Sequence, residues 1–494
     1  MKKLKYFLPA IAMMLFSCDD YLDVNTSPND PQLSQITPDL ALANAQTGPY
    51  RTMARRMNRL GNFFMNNWGM NVNSFAVTAP PEYSLAIDNN FYSDIWDNIY
   101  LNTANLTNII NHKAVGYDNH KAIAKIMKAF YFQYLVDIYG DIPYSEAHLG
   151  SENTSPKYDD DLAIYRDLVN QVDQAIAMMN TPGAIAVGSE DVIFKGDMSR
   201  WEEFGNTLKL RLLLRQTDSG VALSTYLSDG FASLAGKSFL NADAKINPGY
   251  SKAGIAQQNP FYALLYQVDE TTENQEMRFV RASKYMGDKL NSGPTDPRRG
   301  RLFSLIGGTV QGVIQGDLAV VNGGTAPASI STLGPALVKN SAQDGFVMTL
   351  AESKFLQAEA AHEGYLAGDA QTLFNEGITA SMAQLGATPG TYVVDVNLVA
   401  GKGYGAIGAT AAQQLEAIMY QKNIALQGGL NALESFIEYT RTGLIDTIPL
   451  TIVGATQPNK PRRLLYPNSE LVGNTANVPA QSVNSAFSTG PFWY

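Results

Sequence analysis

Cysteine is almost missing from this chain: among 494 residues, Cys18 is the only one. A lone thiol makes no internal disulfide, and it leaves no cysteine in the body of the chain for a Cys–His catalytic pair. Histidine is scarce too. None of His112, His120, His148 and His362 lies in an HExxH arrangement, since His362-Glu363 lacks a second histidine. No GxSxG nucleophile elbow occurs. Long apolar runs are also lacking. The one near the N-terminus, residues 6–16, is broken by Pro9 and falls short of the roughly 20 residues needed to span a bilayer. Positive charge is sparse: the formal net charge is −10. Phosphate backbones are neutralised by clustered Lys and Arg. The densest basic stretch, residues 51–59, is short and interleaved with Thr, Met, Ala and Asn, as on a solvated helix face. DNA and RNA are therefore not expected as partners, and a protein zinc site of the HExxH type is excluded.

What is present begins at the N-terminus. Lys2, Lys3 and Lys5 precede the short apolar run, which ends in Leu15-Phe16-Ser17-Cys18. A basic n-region followed by an apolar h-region reads as a signal peptide. A small residue before cysteine at its end reads as a lipoprotein processing site, so Cys18 is the expected lipidation residue. Each buried CH₂ of an acyl chain contributes about 0.8 kcal/mol, and several chains anchor a protein firmly. Residues 1–17 are then the signal peptide, and residues 18–38, polar and containing Pro28, Pro31 and Pro38, an extended tether. The removed segment carries three lysines and no acid, which leaves the remainder more acidic still. No linker or charge run divides residues 39–494, so these are expected to form a single body.

That body has the periodicity of helices. Residues 121–139 are apolar on most faces, and the following YGDIPYSEA, with Gly140 and Pro143, ends the helix. Residues 160–180 carry the stripe Leu162, Tyr165, Leu168, Val169, Val172, Ile176 and Met179. The three acids before it, Asp159, Asp160 and Asp161, suit a helix N-terminus. They lack the alternating ligands and central glycine of a calcium loop. Ser199 with Glu202 and Thr349 with Glu352 match capping boxes, and Asp369 is placed to cap the helix after Gly368. Ala370, Phe374 and Gly377 have the small–aromatic–small spacing of a tetratricopeptide second helix. Further helices are expected at 411–427 and 431–441. The fold class is thus mostly α, a solenoid of helix pairs, with long loop insertions and a few short strands. Residues 291–345 lose periodicity and form a long loop region, with a short β segment expected at 310–314.

Signals for chemistry are few. GYGAIG at 403–408 matches GxGxxG, and residues 393–396 could supply the preceding strand. A second parallel strand is missing, so a flexible glycine loop is the reading adopted. Paired carboxylates of a glycosidase cannot be read from spacing in a chain with 46 acids. Aromatic residues in loop-like sequence are the positive signal: Trp68 in NNWGMN, Tyr83 in PPEYS, Tyr262 and Tyr266 in NPFYALLYQ, and Tyr285 in SKYMGD. Such faces suit stacking on sugar rings or peptide side chains. Trp96 and Tyr100 in DIWDNIY are four apart on a helix and are expected in the core.

Several segments together resemble the SusD/RagB family of outer-membrane lipoproteins, in its SusD-like branch. They are CDDYLDVNTSPNDP, IWDNIY, FQYLVDIYGDIPYSEA, WEEFGNTLKLRLLLR, DPRRGRLF, AESKFLQAEAAHEGYLAGDA, QKNIAL, YTRTG and RRLLYPNSE, which occur in family order. The resemblance implies four tetratricopeptide-like helix pairs with loop insertions forming the ligand face. It implies a cell-surface, lipid-anchored protein of the outer membrane that covers a SusC-like TonB-dependent transporter and delivers oligosaccharides to it. In some relatives the cargo is an oligopeptide. Asp19 and Asp20 fit the acidic start of surface-exported lipoproteins in this lineage. The resemblance implies no catalytic residue; no cofactor and no metal ligand is assigned from the sequence, which does not settle whether a structural metal is bound. Asp137, Gly140, Asp141 and Pro143 are expected to be a structural turn, and Arg441 with Gly443 a helix end. A peptide-binding lipoprotein and a surface glycoside hydrolase remain as alternatives.

Overall fold

The computed structural model describes residues 36–70, 81–217, 222–314, 327–450, 457 and 459–494; for Tyr83 and Pro327 it describes the backbone alone. Cys18 and residues 1–35 of the leader and tether lie outside the described residues.

The helices that build the body are α1 (Pro38–Thr52), α2 (Asn58–Phe64), α3 (Ser93–Asn111), α4 (Asp118–Tyr139) and α5 (Asp161–Met178). They continue with α6 (Met198–Leu214), α7 (Leu350–His362), α8 (Ala370–Leu385), α9 (Ala411–Ala425) and α10 (Ala432–Arg441). Consecutive helices pack as pairs: α3 on α4, α5 on α6, α7 on α8 and α9 on α10. Neighbouring pairs touch through α4 with α5 and through α6 and α9 with α7, while α1 lies on α3 and α2 on α10. This is the expected helix-pair architecture. Gly377 shows why small residues recur in it: a Cβ there would stand 2.7 Å from the Phe355 ring.

Local signals set most helix ends. Asp160 accepts from Ala163 N, Asp369 from Thr372 N and Thr349 from Glu352 N. Glu352 does not return the bond; its carboxylate is buried against Arg211 at 2.7 Å. At α6 the expected capping box is corrected. The cap is Asp197, whose carboxylate accepts from Ser199 N and Arg200 N, so Ser199 is already inside the helix. Residues 393–396, offered as a strand, belong to the helix Tyr392–Val396. The glycine loop after it packs on that helix, since a Cβ on Gly403 would meet Val396 O at 2.0 Å. Close packing, not phosphate binding, accounts for that glycine.

Strands are few and short: β1 (Trp68–Met70), β2 (Ala244–Ile246), β3 (Val280–Ala282) and β4 (Gly345–Met348). β1 pairs antiparallel with β3, placing Trp68 opposite Ala282, and β2 pairs antiparallel with β4. The segment expected at 310–314 contributes one bridge, Val313 to Ser283, and no strand.

Between the helix pairs lies a buried ionic chain. Arg215 contacts Glu438 at 2.6 Å, Glu434 at 2.8 Å and Asp137 at 3.4 Å, and Arg441 joins Glu438 to Glu359. Asp137 also accepts from Tyr165 and from Gln133. Burial pushes the Asp137 carboxyl up to about 6, although Arg215 opposes the shift. The turn after α4 is structural, as expected: Asp141 accepts from Asp161 N, and Asp159 accepts from the Tyr144 and Ser145 amides.

Candidate functional site

A groove runs between the end of α1 and the loops that face it. It consists of two adjoining depressions of 960 and 730 Å³ that share Arg55 and Arg56 in their walls. The α1 side is shaped by sequence. Pro49 lies inside α1 and has no N–H to donate to the preceding turn. Residues Met53–Met57 then form a π-helical turn before α2 begins. Such i→i+5 turns are uncommon and recur at functional sites. Met53 and Met57 point into the core, so the residues between and beside them, Arg51, Arg55, Arg56 and Arg59, are left for the groove.

The wall opposite is a turn built by Asn247. Its side-chain oxygen accepts from Gly249 N at 3.0 Å and Tyr250 N at 2.9 Å, while its amide donates to Asp344 at 2.9 Å. Gly249, at φ +101°, makes the reversal possible. The turn holds Tyr250 half-buried beside the groove, with no hydrogen-bond partner for its hydroxyl among the described residues. Burial raises its pKa, so it stays a neutral phenol. On α3, Asn98 and Asn102 use their amide donors on backbone carbonyls one turn earlier, at 2.8 and 2.7 Å. Their carbonyl oxygens remain as acceptors on the groove wall.

Charges in the groove are unequally matched. Arg56 pairs with Asp94 at 2.6 Å. Arg59 is held by Glu276 at 2.7 Å, by Glu82 and by the Tyr92 hydroxyl. Burial opposes the Arg59 charge, but Tyr92, Glu276 and Glu82 outweigh it and hold its pKa above the ordinary value. Tyr92 accepts a left-handed backbone, φ +55°, to reach this position at the start of α3; strain of that kind costs of order 1 kcal/mol and gathers at functional sites. Arg51 and Arg55 have no ion pair or hydrogen bond among the described residues. Burial, and then Arg51 and Arg56 beside it, push Arg55 below its ordinary value.

The aromatic residues singled out from sequence are not gathered here. Trp68 is corrected from loop to core: it is fully buried in β1, edge-on to Phe63 at 5.9 Å and 6.4 Å from Phe261. Tyr262 is 3% exposed and stacks on half-buried Tyr266 at 5.5 Å, and neither lines the groove. Tyr285 is half-buried on a helix, 5.9 Å from Lys289 Nζ. Tyr83 lies on a four-residue helix beside the groove, with its side chain outside the described residues. Trp96 is core as expected, whereas Tyr100 is half-buried at the rim of a smaller, 390 Å³ depression. Sequence reasoning missed Tyr250 and dismissed residues 51–59 as a solvated face. The signal was available: Arg51, Arg55 and Arg59 recur every fourth residue, opposite Met53, Met57 and Leu60.

Stacked helix pairs with a polar groove formed by inserted loops define a binding scaffold of the tetratricopeptide-like kind. A family model described as "Starch-binding associating with outer membrane", SusD-like, matches residues 28–467. The chain therefore belongs to the SusD/RagB family. No curated protein matches it. Among solved structures it is similar to a SusD-like protein of Bacteroidetes, at 21% identity and TM-score 0.73, covering 92% of this chain and 99% of that one. It is also similar to a chitin-binding SusD homologue from Flavobacterium johnsoniae, at 22% identity, TM-score 0.68, 92% and 97%. A SusD/RagB family protein from Bacteroides thetaiotaomicron matches at 20% identity, TM-score 0.69, 92% and 98%. At these identities the likeness establishes the fold. The family, as described, associates with the outer membrane.

Proposed function

We propose that this protein captures oligosaccharides at the cell surface and passes them, chemically unchanged, to a SusC-like TonB-dependent transporter in the outer membrane. Residues 1–17 serve as the signal peptide, Cys18 carries the lipid, residues 18–38 form the tether and residues 39–494 are the single ligand-carrying body. The observation that carries the reading is the groove between α1 and the Asn247 turn. It combines a half-buried tyrosine with amide acceptors on a helical scaffold of a family described as starch-binding. A flat aromatic face packs against the C–H face of a pyranose ring, and amide oxygens accept from its hydroxyls. The chitin-binding relative supports a saccharide over a peptide. Catalysis is disfavoured in this groove because its acids, Asp94, Glu82 and Glu276, are each committed to an arginine. A retaining or inverting glycosidase needs two carboxyls free to act on the bond.

Calorimetric titration of the purified protein with a panel of oligosaccharides tests capture, followed by chromatography of the recovered sugar. Binding to at least one sugar, its recovery uncleaved, and a loss of about fivefold or more in Tyr250→Ala are expected, from roughly 1–3 kcal/mol per stacked ring. Cleaved product, or full affinity in Tyr250→Ala, overturns the reading. Delivery is tested separately by mild detergent extraction of the native membrane, where a large TonB-dependent barrel should accompany the protein. Its absence while other membrane complexes survive counts against the transporter role.

A further inference from the structure

The unequal charge matching of the groove points to what kind of saccharide it takes. The chain is acidic overall, yet four arginines stand within nine residues along one wall. Two of them are accounted for by protein carboxylates: Arg56 by Asp94, and Arg59 by Glu82 and Glu276. Arg51 and Arg55 have no such partner among the described residues, and Arg55 is only partly exposed to water. A cation drawn out of water without a counter-charge is unfavourable unless something else neutralises it. The neighbouring amides do not help: Asn98 and Asn102 each donate one amide N–H to the backbone, and the acceptors they present are neutral and supply no counter-charge. A guanidinium presents a planar fork of N–H donors that matches the paired oxygens of a carboxylate or a sulfate. Tyr250 stands in the wall of the same depression, where a ring carrying such a group would stack.

Resting on the saccharide reading above, we propose that this groove selects acidic glycans, with Arg51 and Arg55 binding the carboxylate of a uronic acid or the sulfate ester of a sulfated sugar. The groove is then an acidic-sugar site set into an acidic protein. The local fork of arginines provides the attraction, and the protein's net charge opposes it. Binding should therefore weaken with salt more than that of a neutral sugar.

Calorimetry on the purified protein with four probes tests this: trigalacturonate, its methyl ester, a sulfated oligosaccharide on an otherwise neutral galactan backbone, and the desulfated form of the same oligosaccharide. At least one acidic probe should bind tenfold or more tightly than its uncharged counterpart, or bind where the counterpart does not. Which acidic probe binds distinguishes carboxylate from sulfate recognition. The double variant Arg51→Ala/Arg55→Ala should lose that preference, with an unchanged melting temperature. Arg55→Lys should retain part of the preference. Equal affinity for charged and uncharged probes in the parent overturns the proposal and leaves oligosaccharide capture standing. A preference that survives in the double variant overturns the assignment to Arg51 and Arg55. Failure to bind any oligosaccharide of these or the wider panel overturns both.

Discussion

Replacing Arg215 by Met removes the hub of the buried ionic chain. Arg215 is fully buried and contacts Glu438, Glu434 and Asp137 between 2.6 and 3.4 Å. Methionine fills much of the same space, so the dominant loss is charge. Glu434 and Glu438 then share the remaining cations, Arg211, Lys422 and Arg441, while Asp137 keeps no ion-pair partner among the described residues. Removing one member of a buried pair costs about 3–5 kcal/mol, because the partner is left desolvated and uncompensated. Unfolding entropy is roughly 2.1 cal/mol/K per residue, or about 1 kcal/mol/K for a chain of this length. The expected drop in melting temperature is therefore about 3–5 °C by scanning calorimetry at pH 7. Lys284→Ala is the control: its pair with Asp288 at 2.7 Å is exposed on both sides, and exposed pairs contribute about 0–1 kcal/mol. A fall of less than 1 °C for Arg215→Met, or the same fall for both variants, would refute the view that this chain of charges clamps the helix pairs.

Gly61→Ala should cost about 3 kcal/mol or more in chemical denaturation, since a Cβ there would lie 2.3 Å from the backbone of Ala432 and Leu433, where α2 meets α10. Thr349→Ala should cost about 1 kcal/mol by loss of the α7 cap, and Thr349→Ser should restore it. Lys460 sets a pH dependence. It is buried, its one hydrogen bond among the described residues is to Asn66 Oδ1 at 3.2 Å, and burial pushes its pKa down to about 7. Its folded pKa lies below the unfolded value near 10.4, so its contribution is favourable at high pH and is lost as pH falls towards 7. Lys460→Met should thus stabilise the protein, by roughly 2–3 kcal/mol more at pH 6 than at pH 9. Parallel denaturation curves at the two pH values would show an equal gain if the lysine were not buried uncharged.

Legibility from sequence followed the range of the forces involved. Asp160, Thr349 and Asp369 were readable as caps because a cap bonds an amide three residues away. Ser199 misled because Asp197, two residues earlier, is a charged acceptor reaching the same free amides. The β-branched run at 393–396 is helical, as packing on the glycine loop overrides local propensity. Trp68 sits among Asn and Gly and so read as a loop, but its environment is made by β3 and Phe261, about two hundred residues away. The groove was hidden for the same reason: Arg51 and Arg55, Asn98 and Asn102, and Tyr250 come from three separated stretches. Only the fourfold arginine spacing was visible locally.

A crystal structure of the protein with its tightest-binding oligosaccharide would show where the ligand sits. A sugar ring packed on Tyr250 is expected, with its hydroxyls near Asn98 and Asn102 and its acidic group within reach of Arg51 and Arg55. A ring seated instead against Trp96 and Tyr100, or elsewhere outside this groove, would contradict that placement.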